Sequence, residues 1–232
     1  MKVIKFKVEG VFNSFRIPFF KTYHKTFLSP PKTTIAGLLA NISNKPQKEF
    51  FEMIDKIKVG VIIENIDSKF KDLWRCKIYK DIKEKEKRKK ARGNGIIRRD
   101  KLFNAVYTIY VYNFDIENLK NPLAIPSLGL DDEMVRISNV EEIEFVNKTS
   151  KIHSSFLCDE VKIKDIKVLD DNFIMPTFCN VPIELIGFEK NKRIPKKVKK
   201  EKLQVDFFNC EVEVEGIEGY LDETTKKGVV LF

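Results

Sequence analysis

Between residues 83 and 95 the chain reads KEKEKRKKARGNG, a stretch so rich in charge that it has nothing to bury. No core can form there, so the fold must be built by the segments on either side, with this stretch standing out from it. It closes on Arg92-Gly-Asn-Gly95, a turn signal, and is flanked by two arms able to extend, Trp74 to Lys80 and Ile96 to Phe103. The pattern predicts a long basic hairpin or mobile loop over about 74–103.

The flanking segments alternate in type. Lys2 to Glu9 places Ile4, Phe6 and Val8 on one side and Lys5, Lys7 and Glu9 on the other, the period of a half-buried strand. After Pro30-Pro31, the residues Ile35, Leu38, Leu39 and Ile42 fall at i, i+3, i+4 and i+7, which predicts a helix that Thr33 or Thr34 could cap. Phe50, Phe51, Ile54 and Ile57 repeat the helical spacing and lead into Val59 to Ile63, a buried strand. Ala105 to Asn113, AVYTIYVYN, is the strongest strand, rich in β-branched and aromatic residues. A weak helix over Asp115 to Leu123 and strand material from Met134 to Val146 follow. Residues 1–148 therefore predict an α+β fold in the order β-α-β-β-α-β, the ferredoxin-like arrangement of RRM domains. Residues 149–232, with short pieces such as Val161 to Val168 and Glu211 to Gly216, predict a small β-rich C-terminal part.

The net charge of +9 is unevenly held. Lys80 to Lys101 carries a net +7 and Lys190 to Lys202 another +7, so the two hold +14 and the remaining chain is at −5. Segregation of this kind points to a polyanionic partner, while solvated lysine-rich loops are the plainer reading. Cys76, Cys158, Cys179 and Cys210 include no C-x-x-C pair, so neither a zinc site nor a disulfide framework is expected, and a reducing cytoplasm is. The longest apolar run, about Ile35 to Ala40, is far short of the roughly 18 residues that span a bilayer, so no membrane contact is expected.

Few residues offer chemistry. With only His24 and His153, a histidine-rich metal centre is excluded, and no cofactor is expected. Phosphate-binding and nucleophile-elbow glycine motifs are absent. In KTYHKTFLSPPKTTIAGLL, residues 21–39, Tyr23, His24 and Lys25 with Lys21 are the residue types of a metal-independent RNA-cleaving site: one group takes the 2′-hydroxyl proton and a cation steadies the phosphorane. A histidine in a basic loop more often only binds. Lys32, Thr33 and Thr34 open a helix, where free N–H groups and the dipole favour a phosphate. Tyr107 on one face of the aromatic strand, and Tyr110 and Tyr112 on the other, could stack bases, although no RNP1 pattern is present.

Gly10-Val-Phe-Asn-Ser-Phe-Arg16, Thr26-Phe-Leu-Ser-Pro-Pro-Lys-Thr-Thr-Ile-Ala-Gly-Leu-Leu39 and Leu128-Gly-Leu-Asp-Asp-Glu133 together resemble the CRISPR-associated Cas-five family of RAMP proteins. The resemblance covers residues 1 to about 146 and is most specific in Pro-Pro-Lys-Thr-Thr-Ile-Ala-Gly-Leu-Leu. It implies a non-catalytic subunit of a type I Cascade complex, closest in kind to type I-B, that holds the crRNA 5′ handle and caps the backbone filament. Backbone and large subunits would be its protein partners. It implies that Arg16 and Lys32 to Thr34 line the handle site, and that the basic insertion is the family's protruding hairpin, the thumb, with Lys87, Arg88, Lys89, Arg92, Arg98 and Arg99 serving it by charge. One branch, in type I-C systems, cleaves precursor crRNA with a Tyr, Lys and His set. Here Tyr23, His24 and Lys25 are present, but an adjacent Lys-His pair after the thumb is not.

Overall fold

In the computed structural model, residues 1–20, 23–79, 91–188 and 195–232 are described. They form a mixed α+β chain dominated by strands. The elements of the first part are β1 (Lys2–Asn13), β2 (Tyr23–His24), α1 (Lys32–Ile42), α2 (Gln47–Lys56), β3 (Lys58–Asn65), β4 (Ser68–Tyr79), β5 (Ala91–Tyr112), α3 (Ile116–Lys120) and β6 (Val135–Glu144). Those of the second are β7 (Lys148–Thr149), β8 (Lys151–Ile152), β9 (Phe156–Cys158), β10 (Ile163–Val168), β11 (Ile174–Phe188), β12 (Pro195–Phe208), β13 (Cys210–Val214), β14 (Gly219–Asp222) and β15 (Lys227–Val229). Among the described residues no helix is long and apolar enough to cross a membrane.

The organising element is β5, 22 residues long. Its second half pairs antiparallel with β1 on one edge and β3 on the other, and β1 pairs antiparallel with β6, giving the order β3-β5-β1-β6. Its first half pairs with β4 from Ser68↔Phe103 outward to Tyr79↔Ala91. Hairpin arm and central strand are therefore one continuous strand, where the residue pattern shows two, and the opposing arm begins at Ser68 rather than Trp74. The tip, with Lys87, Arg88 and Lys89, lies outside the described residues, as does Lys21.

The periodicities read from the sequence explain the main core. Ile35, Leu38, Leu39 and Ile42 of α1, with Met53, Ile54 and Ile57 around α2, are buried against Phe6, Val8, Val59, Val61, Tyr107 and Ile109 of the sheet. Truncating one such leucine to alanine typically costs about 2–5 kcal/mol. The helix start differs from expectation: α1 begins at Lys32 with Pro31 in the capping position, and no side chain caps it. Neither Thr33 nor Thr34 is the cap, because Pro31 already holds the chain extended at φ −61° and its carbonyl accepts from the N–H groups of Thr34 (2.9 Å) and Ile35 (3.1 Å).

The opposite face of the sheet is covered by the C-terminal part. Val3, Ile62, Tyr110 and Phe145 pack with Val229, and the Phe145 and Tyr220 rings stack at 5.3 Å. Gly60 allows this approach, since a Cβ there would collide with Val229. Tyr110 is fully buried and its hydroxyl donates to Asp222 at 2.8 Å; Tyr107, also buried, donates to the Leu28 carbonyl at 2.8 Å. Base stacking on Tyr107 and Tyr110 is thus ruled out: the face an RRM would leave open is occupied, and only Tyr112, at the end of β5, keeps partial exposure. A second core of Ile152, Phe156, Val205, Phe207, Val212 and Val214 lies wholly within the C-terminal part.

Asp222 fastens that part to β1. Burial pushes its carboxyl up, but hydrogen bonds from Thr224, Lys5 and Tyr110 outweigh this and hold it well below the usual carboxylate range. A depressed folded value gives stability that is present above the unfolded value near 3.8 and is lost as pH falls below it. Replacing Asp222 with Asn should therefore lower stability at neutral pH and flatten its decline below about pH 4, read from urea midpoints at each pH; an unchanged acid limb would refute the coupling.

Candidate nucleic-acid interface

At the root of the hairpin, β5 is flanked by β4 on one edge and by β2, running parallel, on the other. Leu73, Arg98 and Tyr23 form one cross-strand row, and Asp72, Arg99 and His24 the next. Adjacent rows project to opposite faces of a sheet. Tyr23 and His24, neighbours in sequence, are thereby divided between two surfaces.

On the Tyr23 face, the tyrosine hydroxyl donates to Asp100, two residues beyond Arg98 in β5, and Lys69 Nζ lies 3.2 Å from the same carboxylate. The hydrogen bond to Asp100, with burial, raises the Tyr23 pKa, so the group stays a phenol. Arg98 is exposed on this side. On the His24 face, Arg99 Nη2 donates to Asp72 at 2.8 Å and its guanidinium sits 4.8 Å from the centroid of Trp74. Its Nε is buried with no acceptor among the described residues.

Arg16 reaches this region because Phe15 to Ile17 runs antiparallel to Lys25 to Phe27: Arg16 bridges Thr26, and the Ile17 N–H donates to the Lys25 carbonyl at 2.9 Å. It lies just past β1, which ends at Asn13. Burial, then the charges of Arg16 and Arg99, lower the His24 pKa, so the imidazole is neutral near pH 7. Lys25 is exposed, its Nζ 4.6 Å from the centroid of Phe20. Arg92 lies near the outer end of β5 as described.

Lys32, Thr33 and Thr34 sit apart. Among the described residues, no hydrogen bond or ion pair joins them to Arg16, Arg98 or Arg99. Lys32 and Thr33 line a cavity of about 360 Å³ together with Lys202 and Gln204, and burial lowers the Lys32 pKa, partly offset by Asp55. Thr33 and Thr34 also border a groove with Gly37, Asn41 and Phe50. The loop before them is held from far away in sequence: the buried Asp206 accepts from the N–H groups of Leu28 (3.0 Å) and Ser29 (3.2 Å), from Ser29 Oγ (2.6 Å) and from Gln204 Nε2 (3.1 Å). Ser29 is thus spent on structure. Glu133 does the same for the Leu128 loop, accepting from Ser14 N (2.7 Å), Ser14 Oγ (2.6 Å) and Leu130 N (3.0 Å), and facing Lys101 at 3.3 Å. Gly129, at φ +115°, has no room for a Cβ beside Glu133.

His153 is also structural. Its Nδ1 accepts from Gly228 N at 3.0 Å, and burial lowers its pKa. Asp72, Trp74, Asp100 and Asp206 are the site residues that motif reasoning passes over. Trp74, the lone tryptophan on a hairpin arm, is the only one of these that the sequence flags.

No curated protein matches the chain. Solved structures do. The fold resembles a protein described as a CRISPR RNA-guided surveillance complex, with 15% identity and a TM-score of 0.50 over 90% of this chain and 91% of that one. It also resembles a CRISPR protein from Archaeoglobus fulgidus, with 14% identity and a TM-score of 0.55 over 100% and 99%. At these identities the likeness concerns the fold. The family model for CRISPR-associated protein (Cas_Cas5) matches residues 3–144, which spans β1 through β6 and the whole hairpin root. With more than half its length matched, the chain belongs to the CRISPR-associated Cas5 family.

Proposed function

We propose that this protein is a crRNA-binding, non-catalytic subunit of a type I CRISPR Cascade complex, which grips the 5′ handle at the hairpin root and caps the backbone filament. One observation carries the reading: Arg16, Arg99 and His24, from three separate segments, come together at the base of a long hairpin, with Arg98 exposed on its other face, and residues 80–90 between the arms carry seven Lys/Arg against three Asp/Glu. Two guanidiniums whose charges both depress one histidine favour the arrival of a polyanion. The order β3-β5-β1-β6, every neighbouring pair antiparallel, with α1 and α2 between β1 and β3 and α3 before β6, supports a ferredoxin-like domain over 1–148 with the hairpin as its thumb. The surveillance complex that the fold resembles is RNA-guided, which supports crRNA and other subunits, among them backbone and large subunits, as partners. Lys32 to Thr34 and Lys25 would extend the handle site from the hairpin root.

The neutral His24 beside two guanidiniums favours a second reading, a metal-independent endoribonuclease that processes precursor crRNA, as in type I-C. Against it, Tyr23 faces the other side of the sheet and its hydroxyl is engaged by Asp100. The binding role predicts that end-labelled repeat RNA incubated with the protein in EDTA stays intact on a denaturing gel and shifts on a native one. A single discrete cut that disappears in His24→Ala would establish the nuclease instead.

A further inference from the structure

Three aromatic rings are left open along one side of the hairpin root. Phe70 and Trp74 lie four residues apart in β4, so they share the face that carries Asp72, Arg99 and His24. Phe70 makes an edge contact with Phe12 of β1 at 5.6 Å, and Phe12 packs at 5.6 Å on Phe103. Their exposures are 44% for Phe12, 36% for Phe70 and 48% for Trp74. A single exposed ring needs no explanation, but a row of them beside cations does.

The surroundings select the occupant. Arg99 lies over Trp74 and keeps a buried Nε donor without an acceptor among the described residues, while Arg16 and His24 crowd the same side. Asp72, the carboxylate in the row, is taken up by Arg99. Rings alternating with cations are the composition of a surface that stacks bases and neutralises the backbone between them. The usual stacking face of such a sheet is closed here by β14 and β15, which leaves this one. Phe70 and Trp74 are about 13 Å apart along the strand, room for a few splayed nucleotides.

The geometry points to a stacking platform: Trp74, Phe70 and Phe12 receive unpaired bases of a single strand laid along the hairpin root, with Arg99 and Arg16 at its phosphates. This rests on the RNA-binding reading and adds that bases, not only phosphates, are held.

Because Trp74 is the sole tryptophan, its fluorescence reports the contact directly. Wild-type protein is titrated with an RNA octamer, a DNA octamer of the same sequence, and an abasic octamer with the same number of phosphates. Quenching by RNA, or by both RNA and DNA, that the abasic strand does not reproduce is the expected result, and the two arms tell which nucleic acid is favoured. By anisotropy with labelled octamer, Trp74→Ala and Phe70→Ala should each weaken binding about 5- to 100-fold with the salt slope unchanged, since no phosphate contact is lost. If the abasic strand binds equally and fluorescence does not move, stacking is wrong and the RNA-binding reading stands, with the rings left for a protein partner. If no octamer binds, both fall.

Discussion

Asp206→Ala should destabilise the protein by about 3–5 kcal/mol, the largest single-residue loss expected outside the apolar core. Four donors converge on that carboxylate, and two are backbone N–H groups of the loop that leads into α1. Removing it strands buried donors that water cannot reach. Asp206→Asn, which retains one acceptor oxygen but turns an amide toward the same donors, should lose less. Burial raises the Asp206 pKa against the pull of Ser29 and Gln204, so its linkage runs opposite to that of Asp222: the proton-linked part of its contribution is full below the unfolded value near 3.8 and is lost as pH rises through the raised folded value, while the hydrogen bonds to Leu28, Ser29 and Gln204 that the alanine deletes remain at pH 7. Urea denaturation at pH 7 reads the effect; a loss under about 1 kcal/mol would mean that the loop is held by other contacts.

The second large effect concerns RNA. Arg16→Ala with Arg98→Ala removes one guanidinium from each side of β2 while touching no core residue, so folding should be unaffected. At about 0.7–1.4 kcal/mol for each exposed charge-assisted contact, handle affinity should fall roughly 10- to 100-fold. The slope of log K against log salt should also shrink by about 1.4, for two phosphates of a single strand. An unchanged slope would place the RNA elsewhere on the surface.

How far these features could be read from residues alone follows from the range of the interactions involved. The apolar face of α1 is a local periodicity, and Ile35, Leu38, Leu39 and Ile42 are buried as their spacing dictates. The basic hairpin is equally local, written in arms and a turn signal. The unity of β5 is not, because Asn104, at φ 49°, interrupts the alternation and makes one strand look like two. Tyr23 and His24 look like a cluster in sequence, and a strand of only two residues carries no pattern to warn that they diverge. The occlusion of Tyr110 depends on Asp222, 112 positions later, and the anchoring of Ser29 on Asp206, 177 positions later. No window-based reading reaches such pairs. Charge marked the hairpin, and only the cross-strand register showed that Arg98 and Arg99 point to opposite faces.

The account stands on specific capture of the handle at the hairpin root. The most direct measurement is anisotropy of a labelled 5′ handle RNA against a spacer-derived RNA of the same length, across a salt series. Tighter binding of the handle that persists as salt rises, with both affinities falling along parallel slopes, is the predicted result. Equal affinities at every salt concentration would reduce the site to a nonspecific cationic surface and contradict the assignment.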